Sequence, residues 1–140
     1  MPNDVISQRA PEPVGAFPHA KRVGNLLFLS GIGPRQRGTK QIPGVTLDDK
    51  RQIVDYDIET QCHSVFKNVL TVLEDAGASW NDIVDVTVFL TNMKDDFPTF
   101  NRIYADYFAG ENKPNPTRTT MEINCLPTPI AIELKVLASV

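Results

Sequence analysis

The chain has 140 residues, of which 41% are hydrophobic and 22% charged, a composition typical of one globular domain with its own core. The formal net charge is −3, so no overall positive field would attract nucleic acid or an anionic membrane. No apolar run approaches the roughly 20 residues of a membrane span. The start of the chain lacks the apolar core of a signal peptide, and Cys62 and Cys125 form no CxxC pair. We therefore expect a cytoplasmic protein without a disulfide framework.

The first part of the chain predicts an arm followed by a β-hairpin. Two prolines and a glycine exclude a helix near the start, so residues 1–13 are expected to form an N-terminal arm that becomes ordered only on docking. From Ala20 to Ser30 the sequence reads as two strands joined at Gly24-Asn25, because both turn residues tolerate positive φ. Leu26 to Leu29 are continuously apolar, which predicts a strand buried on both faces.

A glycine-containing turn and a long polar loop follow this hairpin. Gly31 and Gly33 leave backbone amides open to close approach by a ligand, although most glycine loops after a strand are only turns. The loop from Arg35 to Gly44 carries several cations but no phosphate-binding GxxxxGK[ST] pattern.

The middle of the chain predicts helix, strand and helix. Apolar residues recur at spacings of three and four within Asp57 to Ala76, and Gly77 is suited to end that helix. Ile83 to Leu90 predicts a strand with Val84 among the residues of its apolar face. The second helix is expected to be capped by Asp95 or Asp96, with Pro98 in its first turn, an aromatic inner face and Gly110 at its end.

The C-terminal part holds the residues around which the rest is organised. Arg118 to Ile123 predicts one strand, and Ile130 to Val136 alternate strictly between apolar and polar residues, as a half-buried strand does. Arg118 therefore starts one strand, and Glu133 lies inside its expected neighbour. The residues alone leave two readings open: a solvated cross-strand pair worth under about 1 kcal/mol, or a functional site.

These elements predict a single α+β domain over residues 1–140, with a mixed sheet covered on one face by two helices. The other face of that sheet would need a partner, and oligomerisation is the natural way to bury it.

With those residues placed, the sequence resembles the Rid (reactive intermediate deaminase) family, also called YjgF. The resemblance spans about Val14 to Val136 and depends on several motifs in the right order. These are Val14-Gly15-Ala16-Phe17, Leu27-Phe28-Leu29-Ser30-Gly31, Val86-Thr87-Val88-Phe89-Leu90, Asp96-Phe97, Asn101, Tyr104, Tyr107-Phe108, Pro116-Thr117-Arg118, Leu126-Pro127 and Ile132-Glu133-Leu134.

The resemblance implies a chorismate-mutase-like subunit, a homotrimer or a dimer of trimers, and an active site in each cleft between subunits. It also implies hydrolysis of enamines and imines of 2-amino acids to 2-oxo acids and ammonia, with neither metal nor organic cofactor. No HExxH, CxxC or clustered histidines in the chain argue for a metal either.

The resemblance also assigns site residues. Arg118 falls on the carboxylate-binding arginine, Glu133 on the strand glutamate, and Phe17 and Ser30-Gly31 on pocket positions. A planar guanidinium can hold a carboxylate through two parallel hydrogen bonds, so Arg118 would fix the substrate and its plane. Glu133 is the candidate to activate or position water, and Thr120 would help to hold the leaving nitrogen.

Three positions depart from the usual family pattern. Phe17 lacks the hydroxyl of the tyrosine found in many members, His19 stands where glutamine is frequent, and Thr120 replaces a cysteine, which excludes thiol chemistry there. With the long stretch from Arg35 through Asp57, these features resemble the 2-aminomuconate deaminase branch. The dicarboxylate substrate of that branch would need a second cation to bind its distal carboxylate. The candidates are Arg35, Arg37 and Lys40, with His19 as a weaker one. The alternative is that these are solvated loop charges.

The expected function is therefore deamination of 2-aminomuconate to 4-oxalocrotonate in aromatic-compound catabolism. One alternative is a general deaminase of 2-aminoacrylate-type enamines. Another is a non-catalytic member that binds 2-oxo acids or protects against stress, because Arg118 would serve a sensor equally well.

Overall fold

The computed structural model describes residues 3–140 and contains the expected α+β architecture. The helices are α1 (Ile58–Asp75) and α2 (Met93–Phe108), with a short 3-10 turn at Trp80–Asp82. The strands are β1 (Asp4–Val5), β2 (Ala20–Val23), β3 (Leu26–Leu29), β4 (Val45–Leu47), β5 (Ile53–Tyr56), β6 (Ile83–Leu90), β7 (Thr117–Glu122) and β8 (Ile132–Ser139).

One six-stranded sheet has the order β1-β2-β3-β8-β6-β7. Only β6 and β7 pair in parallel, so the sheet is mixed, as predicted. Both helices pack on the same face of this sheet and enclose the core. The core side chains include Leu27, Leu29, Val65, Phe66, Val69, Val86, Val88, Phe100, Phe108, Leu134 and Val136.

The predicted limits of α1 are confirmed by its capping residues. The side chain of Asp57 accepts a hydrogen bond from the backbone amide of Thr60 and caps the first turn. Gly77 adopts a φ of +81° just beyond the last turn, a conformation that glycine adopts without strain.

The predicted start of α2 is wrong. Asn92 is the capping residue, since its side chain accepts from the amide of Asp95, and Pro98 lies inside the helix beyond its first turn. Asp95 and Asp96 lie in the first turn, where carboxylates complement the positive end of the helix dipole. Asp96 is buried and accepts a 2.6 Å hydrogen bond from the hydroxyl of Tyr56, which ties β5 to α2.

Two predicted burial patterns are also corrected. A bulge between Ile83 and Asp85 turns Val84 outward, so Ile83 occupies the inner position instead. Phe28 is 39% exposed, because β3 has the helices on one face only. The hairpin of β4 and β5 lies within the stretch from Arg35 through Asp57, where the sequence predicted no strand.

The second face of the large sheet has no covering layer among residues 3–140. Val23, Phe28 and Met121 on this face are 54%, 39% and 37% exposed, and Phe89 and Leu137 are half-buried there. Burial by a further subunit remains a prediction. No helix in the described part of the chain has the length and apolar character needed to cross a membrane.

The N-terminal arm is ordered on the subunit itself, contrary to the prediction for residues 1–13. Asp4 and Val5 pair with β2, and Ser7 and Ala10 are each only 1% exposed. Polar contacts to the body of the domain supply the order that the sequence did not predict. The first two residues of the arm lie outside the described residues.

Candidate functional site

Arg118 and Glu133 do not meet within one chain, and the expectation that their strands are neighbours is wrong. β6 lies between β7 and β8: Val86 is the register partner of both Arg118 and Val136. The chain runs from β6 through α2 to β7, and such a crossover places the second strand parallel beside the first. Arg118 shares the helix-covered face with Val86, whereas Glu133 shares the open face with its register partner Phe89.

Glu133 lines a cavity of about 180 Å³ at the edge of the sheet where β3 ends and β8 begins. The chain after β3 rejoins β8 at Ile32, whose amide donates to the carbonyl of Leu134 at 2.8 Å and whose carbonyl accepts at 2.9 Å. This bridge holds Gly31 against the Glu133 carboxylate. A Cβ atom on residue 31 would stand only 2.6 Å from Oε2 of Glu133, so a glycine is needed for this close approach.

The surroundings of Glu133 make its carboxyl harder to ionise than an exposed one. Burial raises the pKa of the Glu133 carboxyl, and the positive charge of Arg35 opposes that rise. A carboxyl whose pKa is raised in this way can accept a proton and return it during one reaction.

The mouth of this cavity is apolar. Phe17 is 42% exposed and lines the cavity together with Pro13 and Val14. The hydroxyl of Ser30 donates to the carbonyl of Pro18 at 2.7 Å, so this side chain fixes the turn that carries Phe17. Phe17, Ser30, Gly31 and Glu133 are therefore brought together, as the resemblance implied.

His19 also lines the cavity, but its two ring nitrogens are already engaged. Nδ1 accepts from the amide of Ser7 at 3.0 Å, and Nε2 donates to the carbonyl of Pro11 at 2.8 Å. His19 is only 6% exposed, and both hydrogen bonds bind its ring to the N-terminal arm. A substrate contact through a ring N–H of His19 would therefore require the hydrogen bond to Pro11 to break.

The three loop cations that looked equivalent in the sequence have different places. Arg35 lines the cavity, and its guanidinium makes one hydrogen bond within residues 3–140, from Nη2 to the carbonyl of Glu12 at 2.8 Å. Arg37 lies outside the cavity lining and binds the N-terminal arm, and Lys40 is exposed and also outside. Of the three cations, the fold of this subunit thus brings only Arg35 to the cavity.

A second, open cleft holds Arg118 and Thr120, together with Met93 and Phe97. The guanidinium carbon of Arg118 lies 4.6 Å from the ring centre of Tyr104 and 5.4 Å from that of Phe100. Cation–π attraction thus fixes the group without consuming its N–H donors. The Arg118 side chain makes no hydrogen bond or ion pair within residues 3–140, and the buried hydroxyl of Thr120 has no partner there either.

The aromatic side chains beneath Arg118, here called the aromatic bed, were predicted from the sequence only to be part of the core. Phe97, Phe100 and Tyr104 recur at spacings of three and four on α2, which places them on the face that meets β7. A strand beginning with arginine directly after such a helix is a signal that could have predicted the stack.

Another contact that the sequence did not predict involves Lys135, whose ammonium donates to the carbonyl of Leu29, the last residue of β3. No group of three or more histidine, cysteine or acidic side chains in the described part of the chain could hold a metal ion.

Comparison with known proteins agrees with this architecture. Residues 7–140 match the family described as Endoribonuclease L-PSP, and a RutC family protein of Pyrococcus horikoshii is 38% identical over 139 residues, covering 99% of this chain and 98% of the relative. The chain belongs to the Rid family, also called YjgF or RutC.

Two further Rid relatives carry more specific names. Reactive Intermediate Deaminase A of Arabidopsis thaliana chloroplasts is 32% identical over 135 residues, which are 96% of this chain and 64% of the relative. The crystal structure of Escherichia coli TdcF with bound serine superposes with a TM-score of 0.82 at 28% identity, covering 98% of both chains. The YjgF-like fold predicted from the sequence is thereby confirmed.

Proposed function

We propose that this Rid protein is a hydrolytic enamine and imine deaminase whose active site is completed by two subunits. The observation that carries the proposal is the division of the chemistry within one chain. A guanidinium whose donors are free within residues 3–140 lies in one cleft, and a carboxyl with a raised pKa lies in a separate cavity.

Each half has a defined task in this reaction. Arg118 binds the substrate carboxylate through two charge-assisted hydrogen bonds and holds the reacting carbon in one plane. The enamine tautomerises to an imine, and Glu133 takes a proton from the water that adds to the imine carbon. Glu133 returns this proton to the nitrogen, which gives the carbinolamine. As the C–N bond then breaks and the C=O bond forms, Glu133 takes the hydroxyl proton and passes it to the departing nitrogen, so that ammonia and a 2-oxo acid leave.

The arrangement of subunits that joins the halves is a homotrimer or a dimer of trimers. Its support is the exposed apolar face of the sheet, where Val23, Phe28 and Met121 would be buried by another copy. The Arg118 cleft of one subunit would then face the Glu133 cavity of the next.

The more specific proposal is that the substrate is 2-aminomuconate, which yields 4-oxalocrotonate in the breakdown of aromatic compounds. Arg35 supports it, because this cation lines the cavity with most of its N–H donors free to meet a distal carboxylate. Phe17, Pro13 and Val14 offer an apolar wall for the conjugated chain between the two carboxylates. Smaller enamines such as 2-aminoacrylate have one carboxylate, so Arg118 would be the only cation that binds them and Arg35 would not be engaged.

A panel of freshly generated enamines, with ammonia and 2-oxo acids as readouts, tests the activity. Deamination of 2-aminomuconate with a higher kcat/KM than 2-aminoacrylate supports the dicarboxylate proposal. The variant Arg35→Gln should then raise KM for 2-aminomuconate at least tenfold, about 1.4 kcal/mol, and leave 2-aminoacrylate unaffected. Lys40→Gln, in the same loop but outside the cavity, is the matched control. Ammonia release from no member of the panel, with 2-oxo acids still bound, would favour the non-catalytic alternative.

Mixing two strongly impaired variants tests whether the site is shared. Arg118→Ala and Glu133→Gln each remove one half, so unfolding and refolding an equal mixture should restore about a quarter of the sites if neighbouring subunits supply the two residues. No recovery in a mixture that has demonstrably exchanged subunits would place both residues in one subunit's site and refute the shared cleft.

A further inference from the structure

The N-terminal arm is fastened to the domain by Arg37. Its Nη1 donates to the carbonyls of Ser7 and Ala10 at 3.2 and 2.8 Å, and its Nε pairs with Oε1 of Glu12 at 3.2 Å. One guanidinium therefore fixes three points along the arm, and its rigid fork retains their relative positions.

Asp75 fastens the arm at a second place. Its Oδ2 accepts from the hydroxyl of Ser7 at 2.6 Å, and its Oδ1 accepts from Nη2 of Arg9 at 2.6 Å and from Nε at 3.1 Å. Asp75 is the last residue of α1, where a carboxylate is unfavourable next to the negative helix end, and the last turn has no basic residue. Arg9 supplies the missing cation, so the position of Asp75 is explained by the arm.

The fastened stretch leads directly into the cavity. Ser7 and Pro11, the two residues bound by the ring of His19, bracket a short turn in which the amides of Arg9 and Ala10 bond to the Ser7 hydroxyl. Ala10 and Pro11 at the end of that turn line the cavity, followed by Pro13, Val14 and Phe17. The arm thus forms one wall of the space that Glu133 faces.

We propose that Arg37 and Asp75 are positioning residues that set the affinity of the cavity for its substrate by holding the arm as its wall. The inference rests on the proposed function, because it assigns these residues to the same site. Neither side chain lines the cavity, so each acts only through the arm.

The test compares Arg37→Gln and Asp75→Asn with Lys40→Gln. Lys40 is a neighbouring exposed cation whose side chain makes no hydrogen bond or ion pair with the arm among the described residues. Hydrogen exchange at the amides of Ser7 and Ala10 reports whether the arm is held. We expect exchange at least about tenfold faster in Arg37→Gln, smaller acceleration in Asp75→Asn and no change in the control. Steady-state kinetics with 2-aminoacrylate should show KM raised at least about fivefold with kcat within about twofold, the pattern of lost binding rather than lost chemistry.

The outcomes separate this inference from the proposed function. Unchanged hydrogen exchange in both arm variants would show that Arg37 and Asp75 do not hold the arm. Faster exchange with an unchanged KM would show that the held arm does not set the affinity of the cavity for its substrate. If the wild-type protein releases no ammonia, the proposed function fails. The role of the arm as the cavity wall is then tested by titrating pyruvate into both proteins and following binding by NMR. Equal affinity of wild type and Arg37→Gln for pyruvate, or no binding to either, would overturn that role.

Discussion

The close approach of Gly31 to Glu133 makes a sharp prediction for the variant Gly31→Ala. Gly31 does not have a positive φ, so alanine is compatible with the backbone there. Its Cβ would nevertheless lie 2.6 Å from Oε2 and 3.0 Å from Cδ of Glu133, whereas ordinary contact begins at 3.4 Å. The carboxylate must therefore retreat by about 0.8 Å, and it can do so because it is the end of a flexible side chain.

The expected result is a loss of rate without a loss of stability. Misplacing a reacting group by about 1 Å can reduce the rate about a hundredfold, so kcat should fall between about tenfold and a hundredfold, or roughly 1.4 to 2.7 kcal/mol. The midpoint of thermal unfolding should remain within about 2 °C. Ammonia release and calorimetry measure both quantities.

Gly33→Ala is the matched control for this variant. It also inserts a methyl group into the cavity wall, but its Cβ meets Cδ1 of Ile130 at 2.6 Å rather than the carboxylate. Equal losses in both variants would indicate a general disturbance of the cavity. An unchanged kcat in Gly31→Ala would refute the catalytic role of the Glu133 position.

Three other predictions follow from the charges. Arg118→Lys should lose about a hundredfold in kcat/KM, nearly as much as Arg118→Ala, because an ammonium lacks the planar fork; retention of more than about half the wild-type value would contradict the assigned role. The acid limb of kcat/KM against pH should have its inflection above the ordinary Glu pKa of 4.5 and should vanish in Glu133→Gln. In Arg35→Gln the limb should move to higher pH, because Arg35 lowers the Glu133 pKa. An unmoved limb in Arg35→Gln would show that Arg35 does not act on the group that titrates. Hydrogen bonds from Arg9 and then from Ser7 lower the pKa of Asp75 below 3.8, so Asp75→Asn should destabilise the fold by on the order of 1 kcal/mol above about pH 4. That difference should disappear as the pH falls through the folded-state pKa, and calorimetry of both proteins at several pH values measures it.

Local chemistry allowed much of the fold to be predicted from the sequence. α1 begins and ends within a residue or two of its expected limits, because Asp57 and Gly77 are decisive capping residues. The hairpin at Gly24 has the predicted turn for the same kind of reason. The start of α2 was predicted wrongly because Asp95 and Asp96 were taken as the candidate caps, whereas Asn92, a residue type equally suited to that role, caps the helix.

Long-range arrangement was harder to predict. The α2 crossover places β7 parallel beside β6. The prediction that β7 and β8 are neighbours did not take this crossover into account. The family resemblance assigned Arg118 and Glu133, but it did not distinguish Arg35 from Arg37, which are two positions apart in one polar loop. Only the path of the N-terminal arm shows that one lines the cavity and the other holds the arm.

The separation of Arg118 from Glu133 within a subunit has a chemical consequence. As cross-strand neighbours they would pair with each other, and the pairing would occupy the guanidinium donors and lower the Glu133 pKa. On opposite faces of the sheet, Arg118 stays free on its aromatic bed and Glu133 keeps the raised pKa that burial gives it. A site assembled from two subunits can then place substrate and water between the two groups, so that each charge acts on the reaction and neither is neutralised by the other.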